Sequence, residues 1–130
     1  MTTQLDHLVI TCSSLDRGVA WLEEQLGCVM SSGGTHAKMG THNAIVKIGP
    51  RVYIEVIAVH PEMERPNRDR WFGLDLIGSD DLPQLASWVA RTASLDGVIS
   101  NGLWSADSIS TMSRDSLDWK ITIPSHDDWA

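Results

Sequence analysis

Hydrophobic and polar positions alternate clearly in the first sixty residues. Leu5–Cys12 (LDHLVITC) is rich in branched residues and predicts a strand covered on both faces, with Leu5, His7, Val9 and Thr11 on one side and Asp6, Leu8, Ile10 and Cys12 on the other. The spacing then changes. Leu15, Val19, Leu22 and Leu26 recur at helical intervals, Ser13 or Ser14 offers an N-cap, Asp16 lies in the first turn, and Gly27 marks the stop. Residues 28–42 start as a strand and become a glycine-rich loop. Asn43–Ile48 and Val52–Val59 predict two further strands, joined by a turn at Gly49, Pro50 and Arg51. Residues 61–70 form a polar, proline-containing loop.

The second half is less regular. Leu82, Leu85, Ala86 and Val89 fit a helical stripe capped by Ser79, while the same stretch also reads as a strand from about Leu85 to Thr92. Leu95–Asn101 predicts a short helix capped by Ser94 and stopped by Gly102. Ile109–Met112 and Leu117–Ile123 predict strands, the latter alternating Leu117, Trp119, Ile121 and Ile123. Placing Ser94-Leu95-Asp96 on Ser14-Leu15-Asp16 also lays ASWVART over DHLVITC, a faint internal repeat of strand, cap and helix. No low-complexity linker interrupts the 130 residues, so one domain is expected.

Charge narrows the partners. The net charge is −7, and residues 75–130 hold nine of the 17 acidic side chains but three of the 10 basic ones. Such a surface repels phosphate backbones and anionic membranes, so neither nucleic acid nor membrane is an expected partner. Solubility is the first reading of this charge and attraction of a cationic ligand the second. The apolar run Val52–Val59 is interrupted by Glu55 and is too short to cross a bilayer. MTTQLDHLVI has no basic start or apolar core of a secretion signal, so a cytoplasmic location is expected. Cys12 and Cys28 fall at opposite ends of a strand–helix layer and are expected to be reduced. Six tryptophans stand beside one Phe and one Tyr. Most of Trp71, Trp88, Trp104 and Trp119, together with Phe72, are expected in the core, and Trp71, which follows the charged loop, is the best candidate for a pocket wall.

LDHLVI, the capped helix, GGTHAKMGTHN, AIVKIG, VYIEVIAV and WFGLD, spanning residues 5–75, together resemble the glyoxalase-like branch of the vicinal oxygen chelate superfamily. LASWVART and LDWKITIP resemble the start of a second half. The resemblance implies an α+β fold of paired βαβββ modules whose mixed sheets curl around a concave site. Module one would cover about residues 1–60, and an incomplete module two about 84–130. The superfamily's metal enzymes take one ligand from the first and one from the fourth strand of each module. Mapped onto this chain these are His7 and Glu55, which suit Zn, Ni, Mn or Fe(II). In the second module Ser87 occupies the position matching His7, and neither a fourth strand nor a match for Glu55 is expected. One divalent metal ion with an incomplete ligand set is therefore the cofactor expectation.

Both residues sit in apolar strands, where an unpaired carboxylate is costly, so a buried His–Glu hydrogen bond is the plainer alternative. His36, Met39, Gly40, Thr41, His42 and Asn43 read either as a structural loop or as a ligand-contacting flap, and Trp71 as a substrate contact. The implied function is a glyoxalase-like small-molecule binding protein or enzyme with its reaction unassigned. An enzyme of this kind would be a metal-dependent lyase, isomerase or dioxygenase with Glu55 as the catalytic carboxylate. The alternatives are a metal-free, drug-sequestering protein of the bleomycin-resistance type and a non-catalytic relative. A module with an open sheet edge also predicts a homodimer, with the interface near Leu5–Cys12 and Val52–Val59.

Overall fold

The computed structural model describes residues 3–101 and 109–123. Strand β1 (Thr3–Thr11) leads through helix α1 (Leu15–Leu26) to β2 (Ser31–His36), β3 (Thr41–Lys47) and β4 (Tyr53–Val59). A kinked 3₁₀ segment, Trp71–Leu76, precedes β5 (Gln84–Thr92), α2 (Leu95–Ser100), β6 (Ile109–Arg114) and β7 (Leu117–Thr122). The mixed sheet runs β2-β3-β4-β1-β5, and β6 pairs with β7 in a separate hairpin. The architecture is α+β, with β–α–β–β–β followed by β–α–β–β.

Helix α1 forms where the spacing places it. The Ser14 side chain accepts the Arg17 N–H at 3.4 Å, and Gly27 closes the helix in the left-handed region at φ 61°. Its contact with the sheet centres on Gly18, where an added Cβ would lie 2.4 Å from Cys12 Sγ and 2.7 Å from a Val56 methyl. Close approach buries Leu22 against Ile10, Cys12, Ile54, Val56 and Ala58. Leu26, read as the end of the apolar stripe, is instead 52% exposed.

The opposite face of the sheet carries the second cluster. Val9 and Ile57 pack there under Met39, Trp71, Phe72 and Leu74, with Met112 and Ile123 of the hairpin closing over them. β1 is thus covered on both sides, which is why it reads as a continuous apolar run.

Several expectations are corrected. The strand expected to begin residues 28–42 is present but runs through the glycines read as loop: Ser31–His36 pairs with β3, irregular between Ser32 and Thr35. It contains no large apolar residue, so periodicity could not set its bounds. The ambiguity around residues 80–92 resolves to a strand, because antiparallel pairing with β1 from Thr3↔Thr92 to Thr11↔Gln84 overrides the weak helical stripe. Trp88 is not a core filler: it is 61% exposed on β5. Trp104 and Gly102 lie outside the described residues. β1 and β4 are interior neighbours in the sheet, so neither offers the open edge on which the interface was placed.

Candidate functional site

Strand parity builds the site. His7 and Val9 of β1, Thr41 and Asn43 of β3, and Tyr53, Glu55 and Ile57 of β4 point to the concave face, away from α1. Parallel pairing of β1 with β4 sets Val9 opposite Glu55 and His7 opposite Tyr53. This brings His7 Nε2 to 3.5 Å from Glu55 Oε1. Both residues are buried, His7 at 9% and Glu55 at 6% exposure. The two residues singled out from the sequence therefore meet on one face.

Their remaining polar atoms are occupied. Asp6 Oδ1 lies 2.7 Å from His7 Nδ1, fixing the ring with Nε2 directed at Glu55. The Tyr53 ring stacks on the imidazole at a centroid distance of 4.5 Å. Asn43 Nδ2 donates to Glu55 Oε2 at 2.5 Å, and the Gly34 N–H donates to Asn43 Oδ1 at 2.8 Å. An Asp6–His7–Glu55–Asn43 chain thus crosses the sheet from β1 to β3 and is tied to the backbone of β2.

Burial opposes the charge on His7, but Glu55 and then Asp6 more than offset it and hold the His7 pKa above its ordinary value. Burial likewise opposes ionisation of Glu55, yet the contacts with His7 and then Asn43 hold its pKa below the ordinary value. The pair is therefore an ion pair in the intermediate pH range. His7 contributes stability below its ordinary value of 6.5, lost as pH rises through its raised folded value. Glu55 contributes above its ordinary value of 4.5, lost as pH falls through its lowered folded value. The melting temperature of the wild type, relative to a His7→Gln/Glu55→Gln double variant, is expected to peak between those two values. A difference that stays constant from acid to mildly alkaline pH would contradict the pairing.

The other candidates separate. His36 ends β2, with Nδ1 2.9 Å from Thr41 Oγ1 and its ring edge-on to Trp71. Trp71 is buried, and its Nε1 has no hydrogen-bond partner among the described residues. Met39 and Thr41 are fully buried, so this stretch is a packed hairpin rather than a flap. His42 turns to the other face of β3, tilted against His60 at 4.4 Å. Burial and then His60 push its pKa down. It does not join the His7–Glu55 group. Cys12 donates to the Ile57 carbonyl at 3.4 Å, and burial pushes its pKa up to about 11, as befits a packed thiol. Neither cysteine is in a disulfide.

Three residues of this group were not singled out from the sequence: Asp6, Tyr53 and Arg91. Asp6 adjoins His7, and Tyr53 shares Glu55's parity, so both carried a signal. Arg91 enters only through β5 pairing, where it donates to Asp6 Oδ2 at 3.3 Å.

Comparison with known proteins places this geometry. The family described as Glyoxalase-like domain matches residues 5–130. Among solved structures, methylmalonyl-CoA epimerase from Mycobacterium tuberculosis superposes with a TM-score of 0.54 at 18% identity, covering 84% of this chain and 67% of that one. At that identity the likeness is one of fold. No curated protein matches the chain.

Proposed function

The chain belongs to the glyoxalase-like domain family, and from that premise we propose that it binds a small molecule on the concave face of its sheet, with His7 and Glu55 as the polar group that meets the ligand. The observation that carries this reading is the 3.5 Å approach of two ionisable side chains, buried in otherwise apolar strands and oriented by Asp6 and Asn43. A separation of 3.5 Å is long for an N–H···O bond, so the pair is poised rather than closed. In an enzyme of this site Glu55 Oε1 accepts or returns a proton on the ligand while His7 balances its charge.

A metal is the second reading. Two ligand atoms ~2.1 Å from a tetrahedral ion sit about 3.4 Å apart, close to the His7–Glu55 separation, and a carboxylate on the second ring nitrogen is a common support for a ligating His. A catalytic ion takes about three protein ligands. Among the described residues no group of three or more His, Cys, Asp or Glu is arranged to hold one. These side chains would supply two of those ligands. The test is a small-molecule panel followed by NMR. Binders are expected to move the His7 and Tyr53 ring signals and to lose affinity in Glu55→Gln. Binders that leave both rings unmoved would contradict the reading.

A homodimer and a cytoplasmic location are part of the same proposal. No helix among the described residues is long and apolar enough to cross a membrane. Support for the dimer comes from β5, an edge strand bearing exposed Leu85 and Trp88, with exposed Leu82 just before it. Light scattering at micromolar concentration is expected to return twice the chain mass. A single-chain mass, or a dimer unaffected by Leu85→Asp/Trp88→Asp, would contradict this placement.

A further inference from the structure

The open end of the concave face holds a cavity of about 370 Å³ beside the β3–β4 turn. Its floor is apolar, from Ile45, Val52 and Tyr53, and its rim carries Lys47, Arg51 and Arg91 against one carboxylate, Asp6. We propose that this cavity receives the anionic group of a small molecule with an apolar, ring-sized body, whose other end reaches His7. The inference deepens the reading of the concave face as the ligand site and rests on it.

Three features support it. First, the Asp6 carboxylate is already engaged, by His7 Nδ1 at 2.7 Å and by Arg91 at 3.3 Å. It therefore offers little to an incoming cation. Second, Arg91 is held in place: it also donates to the Arg51 carbonyl at 2.6 Å and to Gln4 Oε1 at 3.1 Å. The guanidinium is thus a fixed wall, while among the described residues the Lys47 and Arg51 side chains have no ion-pair partner. Third, the cavity borders the dyad through one ring, because Tyr53, which lines it, stacks on His7.

The net charge of −7 points to cations, but the local arrangement outweighs it. At physiological ionic strength charges are screened beyond about 8 Å, so the rim cations govern what enters while remote carboxylates do not. The volume lies in the usual range for small-molecule sites, and an apolar floor with a few convergent charges is their usual composition.

Benzoate is the probe, with benzyl alcohol and benzylamine as its neutral and cationic counterparts, followed by amide and ring shifts of the full chain. Benzoate is expected to saturate shifts at Ile45, Val52 and Tyr53, and the other two to bind at least about tenfold more weakly. Lys47→Gln/Arg51→Gln is expected to weaken benzoate about tenfold, and Lys120→Gln on β7 to leave it unchanged. Equal affinity for the three probes, binding that ignores the double variant, or no binding would overturn the inference. Glu55→Gln separates the two ideas. Benzoate retained there supports an anion cavity that works independently of the dyad's charge. If wild-type benzoate binding also leaves the His7 ring unmoved, the dyad reading fails and the anion cavity stands.

Discussion

Replacing Gly33 by valine is expected to lower the unfolding free energy by ~2–3 kcal/mol and to disable the site at the same time. Gly33 is exposed, so burial alone predicts tolerance. Yet a Cβ there would lie 1.9 Å from Asn43 Oδ1 and 2.6 Å from the Asn43 carbonyl oxygen. The side chain can swing away, but the backbone oxygen belongs to β3 and cannot without breaking strand pairing. Rotating Asn43 would also strip Glu55 of its Nδ2 donor and Gly34 of its acceptor. Chemical denaturation combined with the His7 titration checks both halves. A variant as stable as wild type, with an unshifted His7 pKa, would contradict the account. Gly33→Ala should show the same effects, reduced.

Glu55 separates fold from function. Glu55→Gln keeps the shape and can still accept from Asn43, so its stability cost is expected to stay near 1 kcal/mol. It removes the charge that holds His7 protonated and the carboxylate that moves a proton. Turnover of any substrate that needs this base is expected to fall by about 10²–10⁴-fold. Glu55→Ala should cost ~2–4 kcal/mol, because it strands a buried imidazole and the Asn43 amide without partners. Parallel measurement of turnover and denaturation midpoint for the two variants checks this. Equal losses of stability in both would mean that the carboxylate serves packing only.

The sequence showed the first half of the molecule because its strands and helix each bury a regular set of apolar residues. His7 and Glu55 stood out as polar residues interrupting those sets, and their parity placed them on one face. β2 was expected, but its bounds were illegible for the opposite reason: Ser31-Ser-Gly-Gly-Thr-His has no apolar stripe and is a strand through its hydrogen bonds to β3. β5 was ambiguous because Leu82, Leu85 and Trp88 remain exposed, so its pattern does not report a core. His42 and Asn43 looked equivalent in sequence but lie on opposite faces of β3, a distinction that needed the strand boundary at Thr41. The cationic rim was hidden because Lys47, Arg51 and Arg91 come from β3, a turn and β5, and because an acidic composition argued the other way.

On the proposed reading, ligands meet this chain on the concave face between the dyad and the cationic rim. Crystals soaked with a library of small aromatic acids, amines and alcohols test it most directly. Bound acids are expected with their carboxylates near Lys47 and Arg51 and their rings against Tyr53, directed towards His7. Density confined to the α1 face or the outer edge of β5, with the concave face empty across the library, would contradict it.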